Sequence, residues 1–181
     1  MYHARSPFTL ADSSVTVLLS PSDALVADVF RALGDFESHY DLAALNDIER
    51  RLALRVDALA ATSIVSDALL LGFALRTERT GEWRMRAVGD RRATDDEHRL
   101  LLLLSASRAG DADLAARAAD ALEVRLTATI ASLSRDIGRR LADADLLPLQ
   151  PDERFLPERD DAFDITRVGG YEGTVRRAAG D

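Results

Sequence analysis

Between Asp111 and Leu141 apolar residues recur at three- and four-residue steps: Leu114, Ala118, Leu122, Leu126, Ile130, Leu133, Ile137 and Leu141. A stripe held over roughly seven turns of 3.6 residues fits one long α-helix with a continuous buried face, and it excludes a strand, whose faces alternate with period two. A second periodic stretch starts between Asp41 and Asn46. Leu45, Ile48, Leu52, Val56, Leu59 and Ser63 form its core stripe, widened by Leu54, Ala58, Ala61, Val65 and Leu69, and the spacing predicts one helix running to about Arg79. From Ile64 to Leu75 that helix is apolar nearly all round, so this part is expected to be its most buried.

Start and stop signals bracket two shorter helices. In Ser20-Pro21-Ser22-Asp23 the serine can cap, the proline presets φ at the first helical position and the aspartate suits the positive helix end. The helix that follows presents Leu25, Val26, Val29, Phe30 and Leu33 and is expected to stop near Gly34. Thr94-Asp95-Asp96-Glu97 has capping-box spacing before a helix to about Ala109. Leu100 to Leu104 covers every side of that helix, which must be sandwiched between others. Gly110 ends it and Asp111 caps the next.

The sequence therefore predicts an all-α fold, a bundle of about four helices within residues 20–147, with an arm over 1–19 and a mostly irregular tail over 148–181. The arm carries a short extended segment within Val15–Leu19. Pro148, Pro151, Pro157, Gly169, Gly170, Gly173 and Gly180 keep the tail out of helix. Phe155, Leu156, Phe163, Ile165 and Tyr171 are candidate anchors in it, either onto its own bundle or onto another protein.

Composition narrows function mainly by exclusion. All 23 basic residues among the 181 are arginine, and there is no cysteine, so Schiff-base, P-loop lysine and thiol chemistry are absent. A net charge of −8 repels polyanions and makes general nucleic-acid or anionic-membrane binding unfavourable. The longest apolar runs, Ala68–Leu75 and Leu100–Leu104, fall short of the roughly 20 residues that span a bilayer, and the N-terminus has no secretory stretch. Together these predict a cytoplasmic protein without membrane insertion.

No motif fixes a substrate. His3, His39 and His98 lack zinc-ligand spacing, and no nucleophile elbow or glycine-rich phosphate loop is present, so no catalytic, cofactor or metal residue is expected. The acids of Asp95-Asp96-Glu97-His98 are explained by their place at a helix start, with His98 solvated or capping. The remaining candidate is the connector from Arg76 to Arg92, where Arg76, Arg79, Arg84, Arg86, Arg91 and Arg92 outnumber three acids and flank the only tryptophan, Trp83. These side chains either grip an anion or an acidic partner or neutralise the acidic body by internal pairing, and the second reading is favoured.

The segment His39-Tyr40-Asp41-Leu42-Ala43-Ala44-Leu45-Asn46-Asp47-Ile48-Glu49-Arg50-Arg51-Leu52, continuing through Val56-Asp57-Ala58-Leu59, resembles the opening of proteobacterial HEAT-repeat proteins of unassigned function. Leu101–Leu104 followed by Ser105-Ala106-Ser107-Arg108-Ala109-Gly110-Asp111-Ala112-Asp113-Leu114 is similar to their helix-turn-helix units. The resemblance covers about a third of the chain and implies helical hairpins that bind proteins; a clear internal period is missing. The expected function is a non-enzymatic protein-interaction module, an adaptor or assembly subunit that binds a protein partner or its own copies. The alternatives are an acidic immunity or antitoxin-type regulator and a nucleic-acid-associated factor using the Arg76–Arg92 connector.

Overall fold

The computed structural model describes residues 8–10, 17–40, 42–146 and 156. Six helices carry most of them: α1 (Pro21–His39), α2 (Leu42–Leu52), α3 (Ala58–Glu78), α4 (Asp95–Ala109), α5 (Ala112–Ala121) and α6 (Ala128–Asp143). Four short strands accompany them, β1 (Phe8–Leu10), β2 (Val17–Leu18), β3 (Trp83–Met85) and β4 (Arg92–Ala93). The fold is thus predominantly helical, as expected, but the connector is not the plain loop the sequence suggests. Its two strands take up the N-terminal segments, β1 pairing in parallel with β3 and β2 antiparallel with β4.

Capping chemistry sets the helix starts. Ser20 and Thr94 each form a complete capping box, with Asp23 and Glu97 as the reciprocal acids. Gly110, at φ 76°, closes α4 in the left-handed conformation that a side chain disfavours, and Asp111 then caps α5.

Three expected boundaries are corrected. First, α1 passes through Gly34 to His39, because residues 25–34 are buried on all sides and burial outweighs the roughly 1 kcal/mol propensity cost of a mid-helix glycine. The helix ends instead at Tyr40, which takes φ 54°. Second, the long helix from Asp41 to Arg79 is two helices, parted by a turn at Ala53–Val56 after which Asp57 accepts from the Ala60 amide at 2.9 Å. Third, the Asp111–Leu141 stripe is split between α5 and α6: Glu123 is left-handed at φ 59° and Thr127 caps α6. Leu122 and Ile130 are fully buried on either side of that break, so the spacing of apolar residues survives although the helix does not.

The core lies around α4, which touches α1, α5, α6, β3 and β4. All five residues Leu100–Leu104 are buried, as their all-round pattern requires. Ile64–Leu75 is, as expected, the most buried part of the Asp41–Arg79 segment, with Ile64, Val65, Ala68, Leu71 and Leu75 in the core, but it is not buried all round: α3 covers the body from outside and leaves Leu70 at 55% and Phe73 at 48% exposure. It packs on α6, α2 and α1.

Two helix glycines make opposite predictions. A Cβ at Gly138 would stand 2.7 Å from the Leu104 carbonyl oxygen, because α6 lies closely on α4, whereas at Gly72 it would meet only Leu33 Cδ1 at 3.8 Å. Both substitutions gain the same helix propensity, about 1 kcal/mol. Urea unfolding is therefore expected to show Gly72→Ala stabilised by about 0.5–1 kcal/mol and Gly138→Ala destabilised by about 1–3 kcal/mol through overpacking.

Candidate functional site

The sequence marks α1 by its apolar stripe, yet its most consequential side chain is Arg31, 2% exposed. A guanidinium has five N–H donors and cannot shed its charge, so burial demands a partner for each. All five are met. Nε and Nη2 make a fork to Glu97 at 2.6 and 2.9 Å, Nη1 reaches Asp28 at 3.0 Å and the Asp90 carbonyl at 2.5 Å, and Nη2 also reaches the Arg92 carbonyl at 2.8 Å. Burial alone would weaken this cation, but the bonds and charges of Glu97 and Asp28 outweigh it and hold the pKa above the ordinary arginine value.

The two carboxylates carry the network outward. Glu97 also accepts from the amides of Arg86 and Thr94, at 2.8 and 2.9 Å. Asp28 accepts from the Gly89 amide at 2.9 Å and from Arg51 at 2.5 Å, so α1, α2, α4 and the connector meet in one charge-balanced cluster. Beside it, the buried Asp96 accepts from the Arg84 amide at 3.0 Å and pairs with Arg79 at 3.1 Å. The Thr94 hydroxyl donates to the Arg84 carbonyl at 2.6 Å. The edge of β3 away from β1 is thus satisfied by side chains from the start of α4. Asp96 and Glu97 therefore do more than offset a helix dipole, and His98 is buried at 6% exposure instead of solvated.

The connector arginines are distributed as follows. Arg76 pairs with Glu37 and lies 5.5 Å over the Phe73 ring. Arg79 stacks 4.6 Å over Trp83 while bonded to Asp96. Arg92 forks onto Asp90, which lowers that carboxyl's pKa and raises its own. Arg91 donates to the Leu19 carbonyl at 3.0 Å. Arg86 has its amide on Glu97, and the exposed Arg84 has its amide on Asp96. They therefore do not converge on one empty anion site; four of the six side chains bind partners within the chain. Of the tail anchors, Leu156 is buried with the core at 7% exposure, whereas Phe155, Phe163, Ile165 and Tyr171 lie outside the described residues.

Among the described residues, besides exposed Leu18, Tyr40, Leu42 and Leu54, two adjoining apolar surfaces involve α3. One is a narrow cleft between α1, α3, β3 and α4, partly open to solvent, with a cavity volume of about 20 Å³. Phe30, Leu33, Leu69, Trp83 and Met85 line it, with Glu37 and Arg76 among them. The other is the adjoining outer face of α3. Leu59, Thr62, Ser66, Leu70, Phe73 and Thr77 are all exposed along it, and none is charged. In a chain with 30% charged residues, an uncharged stripe five turns long is the exception. α3 is also the one helix among the described residues long and apolar enough to cross a membrane by length and composition. Around the open depression between α1 and α2, Asp35, His39 and Asp47 do not form a three-ligand metal cluster.

Burial raises the pKa of Glu37 above its ordinary 4.5, and Arg76 offsets this only in part. An acid with a raised folded-state pKa costs stability as pH rises from its unfolded value through its folded one. Glu37→Gln removes that titration, so its stability relative to wild type should increase between pH 4 and pH 7 in paired urea melts. A difference that shrinks over that interval would contradict the assignment.

No family model, curated protein or solved structure matches the chain.

Proposed function

We propose that this chain is a non-enzymatic protein-interaction module, an adaptor or assembly subunit, and that the outer face of α3 is its docking surface. The observation that carries the reading is the exposure of Leu59, Leu70 and Phe73 at 77%, 55% and 48% along one uncharged face. Apolar groups held in water gain about 25 cal/mol for each Å² removed from it, whereas a charged face would have to be desolvated first. Interface cores are depleted of charge and enriched in aromatic residues for this reason, and this stripe has no charged residue and carries Phe73.

The body behind the face suits a scaffold. α4 and α5, joined through Gly110-Asp111, and α1 and α2, joined through Tyr40, pack as helical hairpins, and we read them as a small bundle of HEAT-like units. Pairing of the connector arginines with Glu37, Asp90 and Asp96 supports a structural role for them over a nucleic-acid one.

Leu70→Arg tests the reading without touching the core, since the position is more than half exposed. In gel filtration of native-cell extract, the wild-type chain is expected to elute in an assembly larger than its 19.7 kDa monomer. The variant is expected at monomer size with an unchanged melting curve. A wild-type chain that elutes as a monomer would refute the proposal.

A further inference from the structure

The docking face has a symmetry in its chemistry. Leu59 and Phe73 lie seven residues either side of Ser66, and Thr62 and Leu70 lie four either side. When two copies of a helix pack antiparallel about a two-fold axis, residues equidistant from the axis on opposite sides face each other. With the axis at Ser66, Leu59 of each copy meets Phe73 of the other, and Thr62 meets Leu70. The serine, the smallest side chain of the stripe, sits where the two backbones come closest.

Two molecules of net charge −8 repel over most of their surfaces, whereas the α3 stripe itself contributes no charged residue; the Glu49 carboxylate reaches it at Thr62 and the Arg76 guanidinium at Phe73. At about 1.5 Å per residue, the 21-residue helix is about 30 Å long. Contact along it buries on the order of 1,000 Å² in total, near the lower limit for a specific interface and consistent with reversible, micromolar association.

We infer that the partner seated on α3 is a second copy of this chain, docked antiparallel about Ser66 in a two-fold homodimer. This rests on the proposed interaction role of the face and names its occupant. The two-fold arrangement makes a demand that no unlike partner makes: each contact occurs twice, so a charge pair placed in one chain repairs itself across the axis.

The test is sedimentation equilibrium of the purified full chain over about 1–300 µM. Wild type is expected to approach twice its 19.7 kDa monomer mass. Leu59→Glu or Phe73→Arg alone should weaken association at least tenfold, and both substitutions in one chain should restore it. Because the protein has no cysteine, Ser66→Cys introduces a single thiol, expected to oxidise to a disulfide-linked dimer faster than Thr77→Cys, which lies far from the axis. Melting curves establish that each variant is folded, and the disulfide comparison stands if a charge variant is not.

A chain that remains monomeric, or a double variant no better than the singles, overturns the inference. If the purified chain is monomeric while Leu70→Arg still dissolves an assembly in extract, the homodimer fails and the interaction module stands. If both are monomeric, both fail. A photo-crosslinker on Ser66→Cys that captures residues 147–181 of its own chain would overturn the second copy in favour of the tail. Wild-type flotation with phosphatidylcholine vesicles as a monomer would overturn it in favour of a lipid surface.

Discussion

A buried arginine is the constraint around which the rest of this structure is arranged. Arg31 cannot be neutralised, so the fold must bring two carboxylates and two backbone carbonyls to it from four places in the chain. Each of those groups then fixes something else. Glu97 is at once the capping residue of α4, the fork for Arg31 and the acceptor for the connector amide of Arg86. Asp28 holds Gly89 and Arg51. Geometry at one guanidinium thereby sets how α1, α4 and the connector sit together. Loss of one member of such a cluster leaves an uncompensated buried charge, a cost of about 3–5 kcal/mol.

This arrangement explains why a segment rich in arginine is ordered in an acidic protein. The connector has few large apolar side chains to bury besides Trp83 and Met85. It is held through its backbone, by carboxylates from α1 and α4 and by the strands β1 and β2 that pair with it. With four of the six connector arginine side chains paired internally, the outer face of α3, with Leu59, Leu70 and Phe73 exposed along it, is the surface on which the functional reading centres.

Helix existence was legible in the sequence because burial imposes a 3.6-residue period and capping residues mark its ends. Ser20, Thr94, Gly110 and Asp111 all act as their residue types predict. Helix continuity was not legible: apolar spacing reports which residues face the core, and Leu122 and Ile130 face it from two different helices. Asp57 and Thr127, both cap-forming types placed before apolar turns, were the available signals for the missed breaks. The site was less legible still. Internal pairing of the connector arginines followed from charge, but Arg31 and Asp28 lie outside the apolar stripe read for α1, and nothing in the spacing marks them as buried. Their burial depends on α1 being covered all round, which only tertiary structure supplies. In the same way α3 looked buried throughout because its outer face is uncharged, and the sequence cannot show that nothing in the described body packs on Leu59 and Leu70.

The claim that one guanidinium organises the body is tested most directly by native-state amide exchange in Arg31→Lys, which keeps the charge but loses the planar five-donor fork. The account predicts that protection collapses first at the Arg86 and Gly89 amides, which the clustered carboxylates hold, with α4 and α6 opening later and at lower urea than in wild type. Unaltered protection at those two amides, with global stability within about 0.5 kcal/mol of wild type, would contradict it.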